Sequence, residues 1–464
     1  MTIHARFRGA LAALLLSSLT LPAAAPRPLP PALTRQLDSE LAAVVSAPGQ
    51  ELMSLSVLAV RQGRVVYHRQ FGAAWVDPAD SAKRHLADAR TLYRMASISK
   101  LVTTLGVLRL VEQGRLDLDR DLGDYLGFPL RNPHFPTVPV TLRHLLTHTS
   151  SLRDDAGYYW DAASRTHLKD VLVPGGKAYG EGQMWSRQAP PGAYFQYANL
   201  PWGVVGTVME RVTGERFDRL MRRLVLDPLG LPGGFHPADF TPAELASVAT
   251  LYRKRREVAG KEVWEPQGPW LVQVDDYVSA PPPPRALPDY VPGTNGTLFG
   301  PQGNCRLSAE GLGRILMLLA DGGVSRGRRL LRRSSVDLML STQWQADATG
   351  SNGNSGGENP QGKPRRLMNA WGLGAQHFLD LPGPGGGDRL VAGGGLWAVG
   401  HMGNAWGLTS GLVLDRKSRS GFVFLIGGSA FDPETTPGQY SGFPRHEEQI
   451  MTALYRRAVL GRAH

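Results

Sequence analysis

Apolar positions cluster into two kinds of run along this chain. Residues 55–60 and 65–68 are short, apolar and separated by Gln62-Gly63-Arg64, which predicts a β-hairpin around a glycine turn. Residues 408–414 and 422–426 repeat the pattern around a charged turn at 415–418 and predict a second strand pair. From Ser97 to about residue 230, helical spacing dominates, broken by proline and glycine. Within it, residues 101–111 are apolar on nearly every side, which predicts a buried helix with Gly114 as its stop. The stretch 206–214 also ends on a glycine stop. Amphipathic helices are expected over 32–46, 309–320 (ending at Gly322-Gly323) and 446–459. A proline-rich connector occupies 281–292, and a Gly, Asn and Ser-rich insert occupies 349–364.

Strands at both ends with helices between them imply an α/β (α+β) fold. An antiparallel sheet is built from residues 26–96 and 300–464 and flanked by N- and C-terminal helices, with a mainly helical region over 97–299 inserted. No internal repeat is visible. The first 25 residues read as a secretory signal peptide: Arg6 and Arg8, an apolar run over 9–21, then Ala23-Ala24-Ala25. A periplasmic or secreted protein follows, with no transmembrane segment, since no later run has the apolar length.

Composition adds exclusions. In a chain of 464 residues, 42% hydrophobic and 20% charged, the balance is that of a soluble globular protein. The net charge of +11 suits an anionic surface such as a cell wall. No basic stripe interleaved with aromatics accompanies it, so no nucleic-acid partner is expected. Cys305 is the lone cysteine, which rules out an internal disulfide.

Candidate chemistry begins at Ser97-Ile98-Ser99-Lys100. A serine hydroxyl is a poor nucleophile until a base takes its proton. A lysine three residues on along a helix lies one turn away on the same face, so Ser97 and Lys100 form a nucleophile–base pair. The alternative is that Ser97 only caps the helix and Lys100 is a surface charge. In Tyr197-Ala198-Asn199, the phenol beside a lysine has the chemistry of a general acid or base. The asparagine two residues on can bond the lysine or a substrate amide. His401-Met402-Gly403-Asn404 directly precedes a strand. A backbone N–H here, that of Asn404, would pair with the Ser97 N–H as an oxyanion hole. His144 and His148 have i, i+4 spacing, but Leu145 stands where a zinc protease has glutamate, so no metal is expected.

In order, these pieces resemble the serine β-lactamase and penicillin-recognising family, most closely its class C β-lactamase-like branch of carboxypeptidases, aminopeptidases and esterases. Tyr93-Arg94-Met95-Ala96-Ser97-Ile98-Ser99-Lys100 resembles the nucleophile block, Tyr197-Ala198-Asn199 the second and His401-Met402-Gly403 the third. His144-Leu145-Leu146-Thr147-His148-Thr149-Ser150 and Asp227-Pro228-Leu229-Gly230-Leu231 are similar to its structural signatures. The resemblance implies that Ser97 is the nucleophile and that Lys100 accepts its proton or tunes Tyr197. Tyr197 would carry protons to the leaving group, Asn199 orient lysine or substrate, and His401, Gly403 and Asn404 line the substrate and oxyanion side. It implies an acyl-enzyme, with no metal and no cofactor.

Two departures stand out: Ser151 replaces a common glycine, and Met402 a threonine that holds substrate carboxylates. His401, in a block that is usually Lys-Thr-Gly or His-Thr-Gly, also removes the permanent charge a lysine would carry. A thioether donates no hydrogen bond, so Met402→Thr is expected to favour substrates ending in a free carboxylate. The expected function is an exported serine hydrolase acting on esters or peptide-type amides, of the esterase or D-Ala-D-Ala-carboxypeptidase kind. Its partner would be a small-molecule or peptide substrate, cell-wall peptides included. A β-lactamase and a non-catalytic penicillin-binding-like protein are the competing readings.

Overall fold

A computed structural model describes residues 28–282, 287, 289–354, 356, 365–384 and 386–463. The expected signal peptide, most of the 349–364 insert and part of the 281–292 connector lie outside the described residues.

The first hairpin forms where the pattern places it. Strand β1 (Ser54–Arg61) turns into β2 (Arg64–Val76) through Gln62 and Gly63, at φ of 51° and 76°. Two left-handed residues in a row give the tight turn whose twist matches paired strands. A short β3 (Arg84–Leu86) follows β2. The other sheet strands come from the C-terminal part: β4 (Trp344–Gln345), β5 (Ala370–Trp371), β6 (Gln376–Phe378), β7 (Ala398–Ala405), β8 (Leu408–Asp415) and β9 (Ser420–Ile426). Their spatial order is β4-β5-β6-β7-β8-β9-β1-β2-β3, nine strands among the described residues, all antiparallel. The two ends of the chain meet where Leu55 lies opposite Ile426 and Val60 opposite Gly421.

Both faces of the central strands are covered, so they read as apolar runs rather than alternations. The pleat still sorts them. Leu58, Val60, Val423 and Leu425 join one core cluster, with helices α2 (Ile98–Glu112), α3 (Leu200–Thr213) and α4 (Ala309–Ala320). Leu55, Val57, Ala59, Phe422, Phe424 and Ile426 join the other, under α1 (Pro31–Val45) and α5 (Arg445–Ala453). Helix α2 has twelve of its fifteen residues buried, as its unbroken apolar run requires.

Helix α3 ends at Gly214, left-handed at φ 71°. It packs so tightly on residues 296–301 that a Cβ at Gly203 would sit 2.4 Å from Thr297 Cγ2. Thr103 Oγ1 of α2 donates to Pro301 O at 2.9 Å. The 301–302 backbone is thereby pinned over the first turns of α2.

One feature was not announced by the hydrophobic pattern. Residues 251–274, within the span expected to be mainly helical, form small sheets: Leu251–Arg253 with Leu271–Val274, and the hairpin Arg255–Val258 with Lys261–Trp264. That hairpin is mostly exposed and polar, so neither helical nor strand periodicity marks it. No helix among the described residues is long and apolar enough to cross a membrane.

Candidate active site

Ser97 sits at the N-terminal boundary of α2, yet its hydroxyl makes no capping hydrogen bond. It faces Lys100 instead, whose Nζ donates to Ser97 Oγ at 3.0 Å. The preceding Ala96 has φ 47°, a left-handed conformation that costs a non-glycine residue about 1–2 kcal/mol. Neighbouring bonds hold this bend: Met95 N donates to Cys305 O at 2.9 Å, Cys305 N to Ser99 Oγ at 3.0 Å, and Ser410 Oγ to Met95 O at 3.1 Å.

Lys100 is fully buried and has three acceptors: Ser97 Oγ, Asn199 Oδ1 at 2.8 Å and Gln302 O at 3.1 Å. Burial pushes its pKa down to about 7, against the opposing pull of the Asp154 carboxylate. A lysine so placed carries a usable lone pair near neutral pH. The Tyr197 ring lies 4.9 Å from Lys100 Nζ. Burial raises the phenol well above its ordinary value, with the hydrogen-bonding Ser97 hydroxyl acting in the opposite sense. Lysine down and tyrosine up leaves the amine the readier proton acceptor of the two near neutral pH and keeps the phenol protonated.

His148 holds the tyrosine. Its ring stacks on Tyr197 at 4.3 Å between centroids, its Nδ1 accepts from Ala198 N at 3.2 Å, and its carbonyl accepts from Gln196 N at 2.8 Å. An accepting Nδ1 places the proton on Nε2 and keeps the ring neutral, and burial lowers its pKa well below the usual histidine value. His144 Nδ1 accepts from Thr141 N at 3.4 Å, closing a helix cap. Both histidines therefore serve the backbone.

Strand β7 brings the third block alongside. His401 is buried, its ring 6.4 Å from Tyr197 and 5.3 Å from Trp371 between centroids. Its Nδ1 lies 2.5 Å from Met402 O, so the neutral ring donates there and keeps Nε2 as an acceptor. Burial first, and the nearby Lys100 charge second, hold its pKa down at about 3. Gly403 lies against the nucleophile segment, where a Cβ would be 3.1 Å from Ser97 N. Asn404 is exposed on the same strand, opposite Thr409.

Met402 points elsewhere. It packs against the cluster under the terminal helices, close enough that its Sδ would be 2.9 Å from a Cβ on Gly411. Residues 401 and 403 face the serine, so 402 faces away by the pleat. This placement does not support the expectation that a threonine here would meet a substrate carboxylate. Met402→Thr is instead expected to lower stability by about 1–2 kcal/mol through lost packing, read as a fall in melting temperature. Ser151 stands at φ 63°, the region that favours glycine, and its hydroxyl accepts from Asn132 Nδ2 at 3.0 Å.

The sequence left two contributors unassigned. One is His148, visible there only as a zinc candidate. The other is Asp154, whose carboxylate accepts from Asn199 N, Asn199 Nδ2 and Leu200 N at 2.8–2.9 Å. A contact that crosses 45 residues of chain has no local signature.

A protein-family model described as Beta-lactamase matches residues 41–438. The chain belongs to the β-lactamase family. Among curated proteins, this family member is 32% identical over 212 residues to esterase EstB of Burkholderia gladioli, covering 44% of the chain and 51% of that protein. It is 28% identical over 182 residues to penicillin-binding protein 4* of Bacillus subtilis (strain 168), covering 38% and 36%. The chain thus matches about half or less of the length of these relatives. D-amino acid amidase from Ochrobactrum anthropi SV3 shares the fold at a TM-score of 0.59 and 18% identity, over 90% of this chain and 99% of that one.

Proposed function

We propose that this protein is a serine hydrolase that cleaves esters or peptide-type amides through an acyl-enzyme on Ser97. The observation that carries the proposal is the buried Lys100 amine, 3.0 Å from Ser97 Oγ with its pKa lowered to about 7. Ser97 Oγ attacks the carbonyl carbon while its proton passes to neutral Lys100. The oxyanion is received by the N–H groups of Ser97 and Asn404, each such donor being worth about 3 kcal/mol. The leaving group takes a proton from Tyr197, which is refilled from Lys100. Water then attacks the acyl-enzyme and returns a proton along the same path.

Substrates without a free carboxylate are favoured. With a pKa near 3, His401 is neutral above pH 4 and offers no permanent charge to pair with an anionic group. The esterase relative points the same way. Export rests on the basic, apolar and alanine-rich order of residues 1–25.

A panel of p-nitrophenyl esters, nitrocefin and a D-Ala-D-Ala peptide tests the reading. Esters should turn over fastest; nitrocefin or the peptide exceeding every ester would overturn it. The pH profile is a second check. Lys100 works only when neutral, so kcat/KM should fall as pH drops below about 7 and level off above about 8. A flat profile from pH 5 to 9 would remove lysine as the base.

A further inference from the structure

We propose that Asp154 is a positioning residue that fixes the Asn199 amide with its oxygen toward Lys100 and thereby sets the protonation of the base. The inference rests on the reading of Ser97 and Lys100 as the reacting pair.

An ionised carboxylate only accepts. One Asp154 oxygen takes the N–H of both Asn199 and Leu200, at 2.8 Å each. The other takes Asn199 N and Nδ2, at 2.9 Å each. The NH2 end of Asn199 must therefore face Asp154, which leaves only Oδ1 for Lys100 Nζ at 2.8 Å. An amide turned the other way would aim N–H at an ammonium. The carboxylate also lies at the N-terminus of α3, where negative charge is favoured and the loop is fixed to the helix.

Asp154 is the charged partner in this setting. Among the described residues, Tyr197, His148 and His401 are titratable groups near Lys100, and all three are neutral at pH 7. The Asp154 charge and the oriented Oδ1 both favour the protonated amine, against its burial. They hold the base near neutrality instead of letting it fall further.

Asp154→Asn removes the charge and the constraint together. The new Nδ2 would face Asn199 Nδ2, so the Asn199 amide turns over and presents N–H to Lys100. The amine then loses its proton more easily, and its lone pair is diverted from Ser97. Ser97 is read by the rate of phosphonylation with a fluorophosphonate: Oγ attacks phosphorus, fluoride leaves, and the proton passes to Lys100. This readout needs no turned-over substrate.

In Asp154→Asn, the midpoint of the rate–pH curve should move down by about one unit, and the plateau should fall about tenfold or more. A merely structural role would lower the rate at every pH with the midpoint unmoved, and that result overturns the proposal. The double variant Asp154→Asn/Asn199→Asp keeps it falsifiable if the single variant does not fold. It returns a carboxylate beside Lys100, so its midpoint should lie at or above that of the unaltered protein. A midpoint below that of the unaltered protein overturns the proposal. If the unaltered protein is not phosphonylated at Ser97, the functional reading fails first and this inference falls with it.

Discussion

Lys100→Met lowers kcat by at least about a thousandfold while leaving the fold intact. Methionine keeps the apolar stem of lysine and stops one atom short of the amine, so the stem packing stays while Ser97 Oγ, Asn199 Oδ1 and Gln302 O lose their shared donor. What goes is the group proposed to take the serine proton. General-base assistance contributes about 10²–10⁴-fold, and in the proposed mechanism the same amine also refills Tyr197. The phenol cannot substitute, because burial holds its proton far above neutral pH. Steady-state ester hydrolysis with a parallel melting curve checks this. Activity within tenfold of the unaltered protein would show that another group is the base.

Gly403→Ala should cost about a hundredfold in kcat with the reacting groups all still present. A Cβ there would lie 2.5 Å from Ser410 Oγ, 2.7 Å from Met95 O and 3.1 Å from Ser97 N. Two of these are fixed backbone atoms, and Ser410 Oγ is itself bonded to Met95 O. No flexible side chain is available to yield, so β7 and the nucleophile segment must separate. A misplacement of about 1 Å is enough for a loss of that order. The drop should appear in kcat more than in KM, since it loosens the proposed oxyanion donors rather than the outer pocket. Unchanged kcat would mean that β7 does not contribute to the reacting geometry.

The fold was legible wherever burial leaves a periodic trace. Residues 309–320 are helical as expected, and the strand pairs at 55–68 and 408–426 form as their turns indicate. The same holds for α2, whose apolar run could only be buried. The hairpin at 255–264 escaped because exposed polar strands carry no such trace. At the site, the three short blocks do converge: Lys100 bonds Ser97 and Asn199, Tyr197 lies over the amine, and Gly403 lies against Ser97 N. The direction of Met402 was available in principle, since neighbours of an inward His401 and Gly403 must point outward on a strand. The contacts of His148 and Asp154 were not available. Each acts on backbone or side-chain atoms some 45–50 residues away, which only the folded chain brings near.

The central claim is that one hydroxyl, at the start of α2, is the activated nucleophile. Its most direct test is to treat the intact protein with a fluorophosphonate at pH 8, digest it and locate the phosphonyl adduct by mass spectrometry. The adduct should lie on Ser97 and vanish in Ser97→Ala. Labelling on another residue, or undiminished labelling of Ser97→Ala, would contradict the account.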